Sequence, residues 1–115
     1  MDIYKNKTFQ IYNLNQIDFY KKKFSNIQIN FFHPYEFLIW QGPNIISFIN
    51  EKISKKDNYI VETLDNVGLS LIVMDLNIKN LSFERITKKN KLYQLAQKKN
   101  INVYDTHKFI FSEVL

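Results

Sequence analysis

Two segments of the chain share one pattern: LNIKNLSFE at residues 76–84 and KNINVYD at residues 99–105. In each, an asparagine follows a stretch with helical spacing of apolar residues, an isoleucine comes next, and a strand-like run follows. Asparagine tolerates the left-handed conformation that often ends a helix, and the apolar residue after it packs back on the last turn. Asn77 and Asn100 are therefore predicted to end two helices, each of which leads directly into a strand.

The same alternation of strand and helix extends over the rest of the sequence. Strands are predicted at residues 27–32, 59–64, 81–84 and 102–104, with helices after Gly42-Pro43 and near residues 66–76 and 88–99. Neighbouring strands joined by such helices are parallel. Residues 7–24 could add one more strand and helix.

The expected fold is a single α/β domain over residues 1–115. It is a small three-layer domain with a sheet of four or five mostly parallel strands and helices on both faces. This is a minimal Rossmann-like or flavodoxin-like arrangement.

Composition restricts the class of protein. The chain has 115 residues, of which 45% are hydrophobic and 16% aromatic, enough for a compact core. Cysteine is absent, which excludes disulfides, thiolate metal sites and cysteine nucleophiles. No apolar run approaches the roughly 20 residues of a membrane-spanning helix, and no signal peptide is evident. We expect a soluble, cytoplasmic protein.

The net charge of +5 raises the question of nucleic acid. Fifteen of the sixteen basic residues are lysines, and Arg85 is the one arginine. Arginine is the residue that forms bidentate contacts with phosphates and guanines, so the sequence argues against nucleic acid. The lysines cluster at residues 21–23, 52–56 and 98–99, all in predicted final helical turns, where they complement the helix dipoles. These clusters are predicted to share one edge of the molecule.

Glycine usage argues against a nucleotide cofactor. A dinucleotide fingerprint needs three spaced glycines, and a phosphate loop needs Gly-Lys-Ser/Thr, whereas this chain has only Gly42 and Gly68. Gly68 is predicted to lie in the first turn of the helix near residues 66–76 as a small residue for close packing, so alanine there should destabilise the fold. We expect no cofactor.

Candidate site residues follow from the predicted ends of the strands. Ligands of open parallel sheets bind outside the carboxyl ends of the strands. A general base, His33 or His107, could be oriented there by Asp65 or Asp105. Capping of strand and helix ends is the structural alternative, and no histidine pair has metal-ligand spacing. The residues at these ends are His33, Asp65, Asn66, Glu84, Arg85, Asp105, Thr106 and His107.

Residues 35–41, YEFLIWQ, are rich in aromatic side chains and are predicted to form a connector or short strand. Phe37 and Trp40 lie in this segment. Either they pack on the sheet, or they form a contact between copies of the chain or with a protein partner.

A resemblance extends over residues 27–104. The order of a strand, QGP, a helix, a strand, LDNVGLSLIVMDLNIKNLSFE, a helix and a short strand resembles a group of short uncharacterised bacterial α/β proteins. That group has glycine where this chain has Asn77 and more glycine before the helix. The resemblance implies the fold and carries no activity.

These observations favour a binding or assembly module, self-associating or docking to a protein partner, with room for a small ligand at the carboxyl ends of the strands. The alternative is a small hydrolase or lyase that uses His33 or His107 with Asp65. Nucleic-acid binding by the lysines is the third hypothesis.

Overall fold

The computed structural model describes residues 2–87 and 89–112. The described part contains five strands, five α-helices and two short 3-10 turns. In chain order they are the first 3-10 turn (Ile3–Lys5), β1 (Lys7–Gln10), α1 (Leu14–Lys23), β2 (Ile29–His33), α2 (Tyr35–Gln41), α3 (Asn44–Lys52), β3 (Asn58–Glu62), α4 (Val67–Met74), β4 (Asn80–Phe83), α5 (Lys91–Lys98), β5 (Asn102–Asp105) and the second 3-10 turn (Thr106–Lys108).

The strands form one sheet in the order β1-β2-β3-β4-β5. Every neighbouring pair is parallel, with Phe31 opposite Tyr59 and Val61 opposite Leu81. The α/β class and the parallel sheet predicted from the sequence are confirmed, and residues 7–24 do add a strand and a helix. Asn77 and Asn100 have φ angles of 61° and 59°, the left-handed conformation predicted for both.

The α-helices all lie on one face of the sheet, whereas the sequence predicted helices on both faces. All five contribute buried residues to one core cluster that also contains Phe31, Tyr59 and Leu81, so all five pack on the same face. The strand order explains this. All crossovers have the same handedness and lead to the next strand in the same direction, so every helix lies over the same face of the sheet. The opposite face carries the two 3-10 turns and the chain after β5, so that the third layer is thin.

A C-terminal strap, residues 109–112, covers this second face. Phe109 is buried, and its ring lies 4.8 Å from that of Tyr4 and 5.5 Å from that of Phe32. Farther along, the Ser112 N–H donates to the Thr8 carbonyl at 2.7 Å, next to a parallel bridge between Phe111 and Thr8. The strap therefore crosses the sheet from β5 to β1 and shields apolar side chains that the helices do not reach.

The prediction of a connector or strand at residues 35–41 is wrong, because this segment is α2. Pro34 precedes its first turn, Glu36 lies within that turn, and Gly42 ends the helix with a φ of 79° that favours glycine. Leu38 anchors α2 in the core with 2% exposure. The aromatic residues of this segment suggested a strand, but the packing of Leu38 overrides their local propensity.

The spacing of Leu69, Ile72, Val73 and Leu76 predicts that these residues face the sheet and that Ser70 lies toward the periphery. This orientation is partly wrong: Val73 is buried as predicted, but Ile72 is 47% exposed and Ser70 is fully buried. Helix α4 contains apolar residues on every side, so that the sequence pattern could not specify which side faces the sheet.

The same helix corrects the expectation for Gly68. A Cβ placed at Gly68 would meet only the Asn66 Oδ1 atom, at 3.8 Å, so there is no close packing for alanine to disturb.

Gly68→Ala should raise the free energy of unfolding by a few tenths to about 1 kcal/mol, through helix propensity. Gly42→Ala is the control and should lower it by about 1 to 3 kcal/mol because of the positive φ. Urea unfolding of both variants measures the two signs; a destabilised Gly68→Ala protein would restore the packing interpretation.

Candidate functional site

The carboxyl ends of the strands, called here the carboxyl edge, hold two separate groups of polar residues and one buried histidine. The His33 side chain lies on the helix-covered face of the sheet. Ile29 and Phe31, four and two positions before it in β2, lie on the same face and belong to the core under the helices. Glu62, Thr106 and His107 lie on the opposite face. Asp65, Glu84 and Arg85 form the second group, in the loops after β3 and β4. The two histidines therefore belong to different faces and cannot share a site.

His33 is the centre of a chain of hydrogen bonds. The Gln41 amide donates to the Tyr12 carbonyl at 2.6 Å, which leaves its Oε1 atom facing the His33 Nε2 atom at 2.8 Å. His33 therefore donates from Nε2, and its Nδ1 atom accepts from the Tyr59 hydroxyl at 2.7 Å. The chain joins the segment after β1, the end of α2, and strands β2 and β3.

These contacts make His33 a structural residue. It is fully buried, and burial lowers the pKa of its imidazole from 6.5 to about 4, against the opposing effect of the Gln41 hydrogen bond. Burial also raises the pKa of the Tyr59 hydroxyl. Both ring nitrogens of His33 are occupied, so Asp65 does not orient it. The hypothesis of a His33–Asp65 catalytic pair is not supported by this geometry.

The lowered pKa of His33 predicts a pH dependence of stability. The unfolded chain binds the proton more tightly than the folded chain, so the stabilisation is fully present above pH 6.5 and is lost as the pH falls towards about 4. The loss should be about 3 kcal/mol.

Urea unfolding of the wild type and of His33→Gln at pH 7 and at pH 4 tests this. The variant is expected to be less stable at pH 7 but to lose less stability on acidification. An equal loss in both proteins would contradict the assignment.

Glu62 joins β3 to the start of α2 and to the second 3-10 turn. Its Oε1 atom accepts a hydrogen bond at 2.8 Å from the Tyr35 N–H. This N–H lies in the first turn of α2, where it has no partner within the helix, and the side chain of Pro34 cannot cap it. The Thr106 hydroxyl also hydrogen-bonds to the Glu62 carboxylate, and Ser82 hydrogen-bonds to Thr106. Burial raises the pKa of Glu62, and Glu36 adds to this, while the hydrogen bonds and His107 oppose it.

The second group contains a strained turn. Leu64 and Asp65 have φ angles of 49° and 63°, and the Asn66 N–H donates to the Thr63 carbonyl at 2.9 Å, which closes a tight turn after β3. Positive φ is costly for leucine. Burial and the nearby Glu84 raise the pKa of Asp65, while the Arg85 backbone N–H donates to it.

Several candidate residues act as caps. The Asn66 Oδ1 atom accepts from the Leu69 N–H at 2.9 Å, as predicted for a helix cap, and its amide donates to the Tyr35 hydroxyl at 3.0 Å. Asp105 accepts from the His107 N–H at 3.0 Å and thereby caps the second 3-10 turn. Capping, the structural alternative raised by the sequence, therefore accounts for both residues.

Sequence reasoning missed Glu62, Tyr59 and Gln41. The strand was predicted to continue to residue 64, which placed Glu62 inside it, although β3 ends at Glu62. A single charged residue next to an apolar strand was the available signal. The roles of Tyr59 and Gln41 depend on contacts between β3, β2 and α2, which no local pattern shows.

Glu62 also predicts a pH effect, of the opposite sign to that of His33. Its folded pKa is raised, so ionisation disfavours the folded state as the pH rises through that pKa. Glu62→Gln keeps an acceptor for Tyr35 and removes the charge. The melting temperature of the variant minus that of the wild type, measured by thermal unfolding, should be higher at pH 7 than at pH 4. A change that is the same at both values would mean that Glu62 does not titrate with unfolding.

A second notable surface lies on the outside of the helical layer. Val67, Leu71 and Ile72 of α4 are 60%, 43% and 47% exposed, and Ile39 and Trp40 of α2 are 60% and 86% exposed. We call these five residues the outer helix surface. Phe37, by contrast, is half-buried, with its ring 4.6 Å from that of Tyr12.

Comparison of the chain with protein-family models, curated proteins and solved structures finds no match. The resemblance to short bacterial α/β proteins therefore stays a prediction. Residues 2–87 and 89–112 include no group of three or more histidine and acidic side chains placed to hold a metal ion. None of the helices in this part of the chain has the length and apolar character needed to cross a membrane.

Proposed function

We propose that the protein is a small α/β assembly module that self-associates through the outer helix surface. One observation carries the proposal: α4, VGLSLIVM, contains no charged residue and exposes Val67, Leu71 and Ile72 while it buries Val73 and Met74. A helix that is apolar on all sides is typical of one buried on all sides. The exposed side of α4 is therefore expected to be covered in the working assembly.

Helix α2 contributes Ile39 and Trp40 to the outer helix surface. The hydrogen bond from the Asn66 amide to the Tyr35 hydroxyl, at 3.0 Å, joins the residue before α4 to the first residue of α2, whose last turn carries Ile39 and Trp40. Exposed tryptophan is enriched at the centres of protein interfaces. The sequence suggested Phe37 and Trp40 as contact residues. In the structure the exposed pair is Trp40 and its neighbour Ile39.

The absence of charge on α4 allows a second copy of the chain to be the partner. Two copies with a net charge of +5 repel each other at long range, so a contact between them requires a surface without charges. A two-fold symmetric contact places the same patch on both sides of the interface. Because α4 is uncharged, two copies can meet there without placing like charges opposite each other.

The test compares two substitutions of the same chemistry. Ile72→Lys places a charge on α4, and Ile110→Lys places one on the C-terminal strap, where Ile110 is 79% exposed on the other face of the sheet. Sedimentation velocity over a concentration series should show dimers for the wild type and for Ile110→Lys. Ile72→Lys should dimerise at least about tenfold more weakly.

A monomeric wild type at all concentrations would exclude self-association and leave a different protein partner as the occupant of the outer helix surface. Equal weakening by both variants would show that added charge, rather than the α4 contact, controls assembly.

A second candidate function, a small hydrolase or lyase, is favoured by the linked groups around Glu62. Its raised pKa suits a general acid, and Thr106 and His107 lie beside it. Here Glu62 and His107 take the roles that the sequence assigned to His33 or His107 with Asp65. Hydrolysis of p-nitrophenyl acetate by the wild type, with loss in both Glu62→Gln and His107→Ala, would support it. Equal rates in all three proteins would remove it.

A further inference from the structure

The amino ends of the strands, called here the amino edge, gather most of the lysines that precede or follow the helices. Lys21 donates to the Asp57 carboxylate at the start of β3, and Lys99 pairs with Asp75 after α4. The clustering at one edge that the sequence predicted is thus visible in the contacts of its members. The lysines of this edge are Lys21, Lys22, Lys23, Lys52, Lys55, Lys56, Lys79, Lys98 and Lys99.

The dipoles of the helices do not account for all of these lysines. Lysines in a last helical turn complement the negative end of the helix dipole. Lys55 and Lys79 lie beyond the ends of α3 and α4, in the loops that lead into β3 and β4. Both are exposed, and neither has an ion-pair partner among the residues that the structure describes.

Lys55 and Lys79 flank a groove of about 410 Å³. This volume is within the range of small-molecule sites. A smaller groove of about 260 Å³ adjoins it at Asn58 and reaches Tyr104 on the thinly covered face of the sheet. Seven of the fifteen residues that line the two grooves carry carboxamides, and the one lining carboxylate, that of Asp57, is paired with Lys21. The carboxamides are those of Asn6, Gln28, Asn50, Asn58, Asn77, Asn80 and Asn102.

The strands hold two of these amides in fixed orientations. Asn58 donates to the Oδ1 atom of Asn30 at 3.0 Å, and Asn102 donates to the Oδ1 atom of Asn80 at 3.3 Å. Among the described residues, the Oδ1 atoms of Asn58 and Asn102 accept no hydrogen bond. Each of these amides therefore presents an acceptor beside a donor group. Unpaired nucleobases offer matching donor and acceptor edges.

We propose that the amino edge binds single-stranded nucleic acid, with phosphates on Lys55 and Lys79 and base edges on Asn58 and Asn102. Tyr104 supplies an aromatic face next to the smaller groove. The scarcity of arginine argued against nucleic acid in the sequence. Lysine also binds phosphate, as a point charge, and here two lysines border a polar groove rather than a bare surface. The hydrogen-bonding edges of bases are free to meet the amides of Asn58 and Asn102 only when the bases are unpaired, which favours a single strand.

The test measures anisotropy of a fluorescent oligouridylate of about ten nucleotides. Wild-type affinity should fall steeply between about 50 and about 200 mM salt. Lys55→Glu/Lys79→Glu should weaken binding by roughly tenfold or more at low salt and should flatten the salt dependence. The matched control is Lys89→Glu/Lys91→Glu, which makes the same change of net charge at and just before the start of α5, on the opposite edge. It should bind nearly as the wild type does.

Further variants separate base contacts from charge. Asn102→Ala removes an exposed amide and should weaken binding several-fold without changing the slope with salt. Lys55→Gln/Lys79→Gln provides a milder charge change if the glutamate variant fails to fold, as judged by circular dichroism.

Three outcomes would overturn the proposal: no oligonucleotide binding by the wild type at low salt, equal weakening by the two lysine-to-glutamate pairs, or tighter binding of heparin with no effect of Asn102→Ala. The last outcome would indicate a sulfated polysaccharide surface.

Discussion

The direction in which the strands are added governs the rest of this structure. Each new strand joins the sheet on the same side as the last, in the order β1 to β5, and each crossover returns over the same face. All five α-helices consequently build one core against Phe31, Tyr59 and Leu81. The second face is left to the 3-10 turns and the strap, whose Phe109 packs with Phe32 and Ile60. A parallel sheet normally has both faces covered, and here the strap provides the second cover.

This arrangement changes where a site is expected. In doubly wound folds the binding crevice opens where the strand order reverses and neighbouring helices go to opposite faces. No such reversal occurs along β1 to β5. The polar groups at the carboxyl edge are largely engaged in holding elements together: Glu62 binds the start of α2, Asn66 caps α4, and His33 joins α2 to the sheet. Surfaces outside that edge, the outer helix surface and the amino-edge grooves, remain available for partners.

Local signals predicted the parts of the fold that local physics determines. Asn77 and Asn100 end helices because asparagine accepts positive φ, and Asn66 caps α4 because its side chain reaches a free N–H. Helix α2 escaped prediction because its aromatic residues favour strands and its position depends on Leu38 packing. The orientation of α4 escaped because a helix without a polar side has no period to read.

The candidate site was less predictable than the fold. The sequence places Thr106 and His107 at a strand end, but the alternation of side chains along β2 and β3 determines which face of the sheet each side chain occupies. That alternation separates His33 from Glu62, and it depends on strand boundaries within one residue. The strand order could not be predicted either, since the periodicity of apolar residues indicates where helices form but not which face of the sheet they cover.

If the helical layer, and α4 above all, forms the contact between copies while the strap only closes the second face, protein concentration should alter hydrogen exchange in the helices alone. In hydrogen exchange measured by mass spectrometry at increasing protein concentration, the amides of α2 and α4 should exchange more slowly as the concentration rises, while residues 109–112 should exchange at an unchanged rate. Concentration-independent exchange in α4, or new protection confined to the strap, would contradict it.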